Sequence, residues 1–308
     1  MRALLLPSLL VALGRCVAYA DSAPPADPRL AIDRLLDEAT RTSHPFALRA
    51  SFGNRALVEL KPLLAASSSD AELHWMAARA WSAVAEERGM MPLAPAAAAR
   101  QREELLAVRR LAPEGGHAAD VAMELAFLAS KDGRFGDALA EYDRALADHA
   151  LGGPWCCGGR DPLEHPAGRA SMLLTNSAEM LMALGRLDEA IARYQRAVEH
   201  TARSHSLSSL PWWGLAVALD RDRQEERARA AVAQALVRDP EMGDLADRHV
   251  FFVPAGEKEY YLGLGYLQRD KLEAADAAFR EYLASKPRAA YAARAQAHVD
   301  ALKGHLGE

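Results

Sequence analysis

The chain has 308 residues, of which 42 are acidic and 37 are basic, for a net charge of −5 at neutral pH. This charge repels phosphate backbones and anionic lipid headgroups, and no run of basic residues offers a local exception, so we expect no nucleic-acid ligand. Three cysteines are too few for a disulfide-stapled scaffold, so the fold must be stabilised by packing.

The amino terminus has the features of a secretory signal peptide. A basic residue, Arg2, precedes an apolar run that ends at Leu13, and Ala18 and Ala20 form an A-x-A cleavage site. The apolar run is too short to cross a bilayer, so we expect no membrane span. Cleavage after Ala20 would remove two basic residues and no acidic one, leaving a periplasmic or secreted chain with a net charge of −7.

The next segment, residues 21–117, is predicted to be an N-terminal helical region. Its apolar residues recur at i, i+3, i+4 and i+7 and do not alternate, which is the helical period. Asp27-Pro28 and Ser69-Asp70 are typical helix starts. We expect helices near 28–41, 46–65, 70–88 and 96–110. Whether they are divergent repeats stays open at this point.

Beyond residue 117 the same periodicity continues in pairs of segments with a shared spacing. In residues 172–200, the small residues Ala178 and Ala190 and the ring of Tyr194 lie at fixed distances from a turn at Gly185. This spacing resembles the tetratricopeptide repeat, whose unit is a helix pair of about 34 residues. Three further segments fit the same frame, namely 119–150, 209–240 and 256–287.

The resemblance implies an all-α fold, a right-handed superhelical solenoid of antiparallel helix pairs. The tetratricopeptide-like array would occupy residues 118–308, with insertions near 151–168 and 241–254 where the spacing exceeds one repeat. A single terminal helix near 288–302 would cover the exposed edge of the last repeat. A generic alanine-rich helical bundle is the alternative, because small residues let helices approach closely in any bundle.

No motif of enzymatic chemistry is present in the sequence. A phosphate loop, a G-x-S-x-G elbow and an HExxH pair are all missing. The histidines are scattered, and paired carboxylates lie among arginines, as in surface salt bridges. We therefore predict a protein that is not an enzyme, with no catalytic residues, no cofactor and no metal.

The glycine-rich loop around Cys156 and Cys157 is the unusual chemical feature of the chain. Adjacent α carbons are about 3.8 Å apart, closer than a disulfide prefers, so a vicinal disulfide would be strained and easily reduced. The loop could be structural, with a vicinal disulfide or free thiols. It could also be a redox or intermolecular site, or a metal site with a histidine, although structural zinc usually takes Cys-x2-Cys spacing.

In the tetratricopeptide repeat, the first helix of each pair lines a concave groove, and the resemblance places mainly apolar residues there. A protein or peptide partner would bury its apolar side in such a groove, with Trp213 and Tyr260 as large anchors. Thr175 and Glu179 occupy positions where some relatives have the Lys and Asn that clamp a terminal carboxylate, so we expect no such ligand. The candidate groove residues are Met123, Phe127, Met172, Thr175, Trp213 and Tyr260. Alternatively, the same positions are core.

These features predict a non-enzymatic scaffold of the cell envelope that binds a partner helix or peptide in its groove. The first alternative is a thiol redox or metal-binding protein that uses the loop of Cys156 and Cys157. A second alternative is a carbohydrate or cell-wall binder that uses Trp155, Trp212 and Trp213. The partner does not follow from the resemblance, because this repeat family serves many unrelated processes.

Overall fold

The computed structural model describes residues 27–89, 92–150, 166–204, 208–247, 250, 252 and 256–306. Within these residues the chain forms fourteen α-helices and no strand, which confirms the predicted all-α fold class. The helices are α1 (Pro28–Thr40), α2 (Phe46–Ala66), α3 (Ala71–Ala85), α4 (Pro95–Leu111), α5 (Ala118–Lys131), α6 (Phe135–Ala150), α7 (Pro166–Leu184), α8 (Leu187–Ser204), α9 (Leu210–Arg221), α10 (Glu225–Arg238), α11 (Gly243–Ala246), α12 (Glu257–Gln268), α13 (Leu272–Ala284) and α14 (Ala289–Leu306). The predicted signal peptide, residues 1–20, lies outside the described residues.

Local sequence explains where the N-terminal helices begin. Asp27 caps α1 by accepting a hydrogen bond of 2.9 Å from the N–H of Arg29, and Pro28 occupies the first helical position. Asp70 caps α3 in the same way, accepting from the N–H groups two and three residues later at 3.0 and 3.3 Å. The four helices therefore lie close to their predicted ranges, although α3 ends three residues early, at Ala85.

The helices form antiparallel hairpins that stack in chain order. Close packing joins α3 to α4, α5 to α6, α7 to α8, α9 to α10 and α12 to α13, and each hairpin also packs against the next, with α2 especially close to α3. Gly133 and Gly185 lie in the turns of two hairpins with φ of +71° and +82°, a backbone region that glycine adopts without strain. None of the described helices is both long enough and apolar enough to cross a membrane.

The small and aromatic positions of the predicted repeat form the core. Ala190 and Tyr194 of α8 are buried, and so are Ala138 and Tyr142 at the corresponding positions of α6. Glycines are placed where a ring from a neighbouring helix comes closest. At Gly263 of α12, an added Cβ would lie 2.7 Å from the ring of Phe279, which is closer than real contacts allow.

We expect Gly263→Ala to lower the free energy of unfolding by about 1–3 kcal/mol, because the methyl group would overlap the buried Phe279 ring. This loss should outweigh the gain of up to about 1 kcal/mol that alanine offers over glycine inside a helix. Denaturant unfolding measures the difference. Gly136→Ala in α6 is the matched control, since a Cβ there meets no atom within 4 Å. Equal stability of the two variants would contradict this packing.

The terminal helix does more than cover the last repeat. Helix α14 packs against α13 and also reaches back to the C-terminal end of α7. There Arg288 Nη1 donates to the carbonyl of Ala183 at 2.9 Å, and the Tyr291 hydroxyl donates to the carbonyl of Met182 at 2.7 Å. These partners are 105 and 109 residues apart in sequence. The carboxyl-terminal repeats are therefore closed over by the last helix.

The structure describes much of the second predicted insertion but little of the first. The insertion near 241–254 includes the short helix α11. Met242, the residue immediately before this helix, has its sulfur against Gly265 of α12. The insertion near 151–168 falls mostly outside the described residues, because the description resumes at Pro166, where α7 begins.

Candidate functional site

An opening lies in the wall that the first helices of successive hairpins form. Helix α7 packs against α9 and α9 against α12, whereas α3, α5 and α7 make few contacts with one another. A cavity of about 340 Å³, which we call the inner cavity, is lined by residues of these three helices together with residues of α1, α2 and α4. Its apolar lining includes Trp75, Ala78, Leu105, Met123 and Met172, and its charged lining consists of Arg49, Arg79, Asp120, Glu124 and Arg169.

Helical periodicity brings the α5 residues of the cavity to one face. Asp120, Met123 and Glu124 are spaced at i, i+3 and i+4, so they project from the same side of the helix. Phe127 and Lys131 continue this face toward the end of α5, and the Lys131 ammonium lies 4.7 Å from the centre of the Phe127 ring. The inner face of α5 therefore combines apolar and ionisable side chains.

Four of the predicted groove residues lie at or near the inner cavity. Met123 and Met172 line it, and both are half-buried. Phe127 and Thr175 are one helical turn further along α5 and α7, and both are partly exposed. The Thr175 hydroxyl donates to the carbonyl of Ser171 at 2.8 Å, within its own helix. Partner binding by these four residues stays a prediction.

The two large predicted anchors are instead part of the core. Trp213 and Tyr260 are both 0% exposed, so neither can meet a partner at the surface of the fold. The Tyr260 hydroxyl donates to Asp220 at 2.5 Å, and its ring lies edge-on to Phe279 and Tyr282. For these positions the structure supports the core alternative. The carbohydrate alternative also loses Trp213 as an exposed ring, and Trp155 lies outside the described residues.

The cations of the inner cavity face carboxylates. Arg49 lies 3.2 Å from Glu86 and also donates through Nε to the carbonyl of Ala39 at 2.8 Å. Arg79 lies 3.6 Å from Asp37. The third lining arginine, Arg169 of α7, forms a buried ion pair with Asp120 of α5.

Glu124 has a different environment from the other carboxylates of the cavity. It accepts a hydrogen bond of 2.9 Å from the amide of Gln101, a buried residue of α4. Among the described residues it makes no ion pair. Burial and the nearby carboxylate of Glu86 raise the pKa of Glu124 to about 7. Glu124 is thus divided between its neutral and charged forms near neutral pH.

Lys131 is perturbed in the opposite direction at the end of the same helix face. Burial lowers the pKa of its ammonium to about 7, although the carboxylates of Glu179 and Glu86 favour the charged form. Neither Glu124 nor Lys131 was predicted as a site residue. Their spacing from Met123 and Phe127 on α5 indicates the shared face, but sequence alone does not indicate how deeply they are buried.

Trp75 is held at the cavity by its contact with His117. The two rings are stacked, with centres 4.7 Å apart and planes 22° from parallel. His117 Nε2 in turn lies 2.8 Å from the carboxylate of Glu72. These contacts fix the orientation of the indole, which remains partly exposed at the cavity wall.

A second polar cluster fastens α14 to the carboxyl-terminal repeats. Arg221, at the end of α9, has a side chain that is 1% exposed and donates to Glu257 at 2.6 Å and to the Tyr282 hydroxyl at 2.9 Å. The neighbouring Asp220 accepts from Arg294 of α14 at 2.6 Å and lies 2.9 Å from His298 Nε2.

Burial alone would raise the pKa of Asp220, but hydrogen bonds with His298 and Arg294 hold it well below its usual range. The charges of this cluster are therefore matched inside the fold, which is the expected character of a structural cluster.

The loop with Cys156 and Cys157 lies outside the described residues, so the alternatives for these thiols stay open. Within the described part of the chain, His, Cys, Asp and Glu side chains form no group of three that could hold a metal ion.

Comparison with known proteins finds similarity among solved structures. No family model matches the chain, and no curated protein matches it. Among solved structures, the chain is similar to the crystal structure of BtubC (BKLC) from P. vanneervenii. The two are 21% identical, the match covers 72% of this chain and 85% of that chain, and the TM-score is 0.41. No conclusion about function rests on this likeness.

Proposed function

We propose that the chain is an exported, non-enzymatic interaction scaffold of the tetratricopeptide type, which binds a peptide segment of a partner protein in the inner cavity. The observation that carries the proposal is the cavity itself, which residues of α1 to α5 and of α7 line. Its volume of about 340 Å³ lies within the range of about 300–1,000 Å³ that is usual for ligand sites. Like those sites, it combines an apolar wall with a few polar groups.

The chemistry of the wall suits a peptide. Met123 and Met172 have flexible, polarisable side chains that adapt to different partner shapes, and Trp75 adds a rigid aromatic surface. Stacked helix pairs also commonly present their concave side to extended partners. The proposed site lies in the amino-terminal half of the stack, because α14 closes over the carboxyl-terminal half.

Site-specific photo-crosslinking tests this proposal. A photoreactive amino acid at Met172 should crosslink to one defined protein in an extract of the source cells, and a peptide derived from that protein should compete. The control position is Val237, which is 74% exposed on α10, away from the inner cavity. Identical crosslinks at both positions, or none at Met172, would refute the scaffold assignment.

A further inference from the structure

Among the charged side chains of the inner cavity, the Glu124 carboxylate has no ion-pair partner in the described part of the chain. Arg49, Arg79 and Arg169 each face a carboxylate. Glu124 has only the neutral amide of Gln101 as its hydrogen-bond donor among the described residues. An acidic ligand would compete with the carboxylates that these arginines already face. A basic ligand would instead supply a cation that pairs with the Glu124 carboxylate.

Glu124 is also placed where a ligand can reach it. The residue is partly exposed and lines the cavity, as do the apolar side chains of Met123 and Met172. A charge interaction is stronger beside such apolar, low-dielectric surroundings than in open water. Burial has already raised the pKa of the carboxyl group, which means that its charged form lacks stabilisation inside the free protein.

We propose that the inner cavity selects a basic side chain, so that the bound peptide segment carries an arginine or lysine whose cation pairs with Glu124. This inference rests on the proposed function, because it assumes that a peptide occupies the cavity. The aliphatic stem of the basic side chain would pack against Met123 and Met172, as such stems do on apolar surfaces. A guanidinium would also find the partly exposed ring of Trp75 at the cavity wall, which favours arginine over lysine.

The charge of the whole chain supports the same choice of ligand. A net charge of −5 attracts basic segments over distances longer than direct contact and speeds their association at low salt. This long-range attraction does not select one site on the surface. Selection would come from Glu124, because the other acids near the cavity are already paired.

Selection from a random peptide library tests the inference directly. The probes are peptides selected on the immobilised wild-type chain and then resynthesised with their basic residue replaced by citrulline, which keeps the shape of arginine but has no charge. We expect the selected peptides to contain arginine or lysine, and we expect the citrulline forms to bind at least about tenfold more weakly. Glu124→Gln should bind the basic peptides weakly and should no longer distinguish them from the citrulline forms.

Glu103→Gln is the matched control, because Glu103 is an exposed residue of α4 that faces Arg100 and lies outside the cavity lining. Peptides that depend on Met123 and Met172, but not on a basic residue or on Glu124, would overturn this inference and leave the proposed function standing. If no selected peptide depends on Met123 or Met172, the proposed function fails together with the inference. The citrulline comparison uses the wild-type chain, so it remains decisive even if Glu124→Gln folds poorly.

The affinity should also depend on pH in one direction. The cation pairs with the deprotonated form of Glu124, so affinity should rise between about pH 6 and pH 8, around the pKa of about 7. The other charged or titratable groups in and around the cavity are Arg49 of α2, Arg79 of α3, Glu86 after α3, Asp120 and Lys131 of α5, Tyr142 of α6, and Arg169 and Glu179 of α7. Lys131 titrates in the same range, so the part of the pH dependence that disappears in Glu124→Gln belongs to Glu124. No change of the profile in that variant would contradict the assignment.

Discussion

Replacing Arg221 by alanine is expected to lower the free energy of unfolding by about 3–5 kcal/mol. The change removes the cation that lies 2.6 Å from Glu257 and leaves this buried carboxylate without its ion-pair partner. The Tyr282 hydroxyl loses the same guanidinium, and the ring of Tyr291, 4.1 Å from it, loses a cation–π contact. Denaturant unfolding followed by circular dichroism measures the loss.

Arg229→Ala provides the control for this result, because Arg229 is exposed on the neighbouring helix α10. It should change the stability by less than about 0.5 kcal/mol. The double variant Arg221→Met with Glu257→Leu should recover much of the lost stability, because both charges leave the interior together. A stability of Arg221→Ala within error of the Arg229→Ala value would show that the buried pair does not hold the carboxyl-terminal repeats.

The second large effect is expected from Trp213→Ala, which should cost about 3–5 kcal/mol of stability. The indole is fully buried beside Gly265 and belongs to the main hydrophobic core, so its removal leaves a large cavity. Any loss of partner binding should then follow the loss of folded protein. Thermal unfolding and peptide binding, measured on the same sample, separate the two effects.

Trp212→Ala gives the comparison for Trp213→Ala. Trp212 is only half-buried, with the guanidinium of Arg238 5.0 Å from its ring, so its removal should cost clearly less stability. A Trp213→Ala variant that melts like the wild type but no longer binds its partner would restore Trp213 as a contact residue. That outcome would also require an open conformation of the carboxyl-terminal repeats.

The local parts of the fold could be predicted because their signals lie close together in sequence. Gly185, Ala190 and Tyr194 follow one another within a single hairpin, so the turn, the close helix contact and the ring that fills it share one spacing. The same repeat spacing also predicts that the side chains of Met123 and Met172 point inward. Such predictions depend only on helical geometry and side-chain size.

The accessibility of inward-facing residues could not be predicted in this way. The resemblance places Tyr260 at a groove position, but His298 of α14 lies near its ring, and the whole residue is buried. Whether a later helix returns to cover a groove depends on long-range packing that no local spacing encodes. The same holds for Glu124, whose perturbed pKa arises from burial and from Glu86, a residue of an earlier hairpin.

The return of α14 to α7 has a consequence for how the molecule unfolds. In an open array, each repeat touches only its neighbours, so the end can fray one repeat at a time. Arg288 and Tyr291 instead join the last helix to carbonyls of α7 more than two hairpins earlier. We therefore expect the repeats from α7 to α14 to open together, as a single cooperative unit.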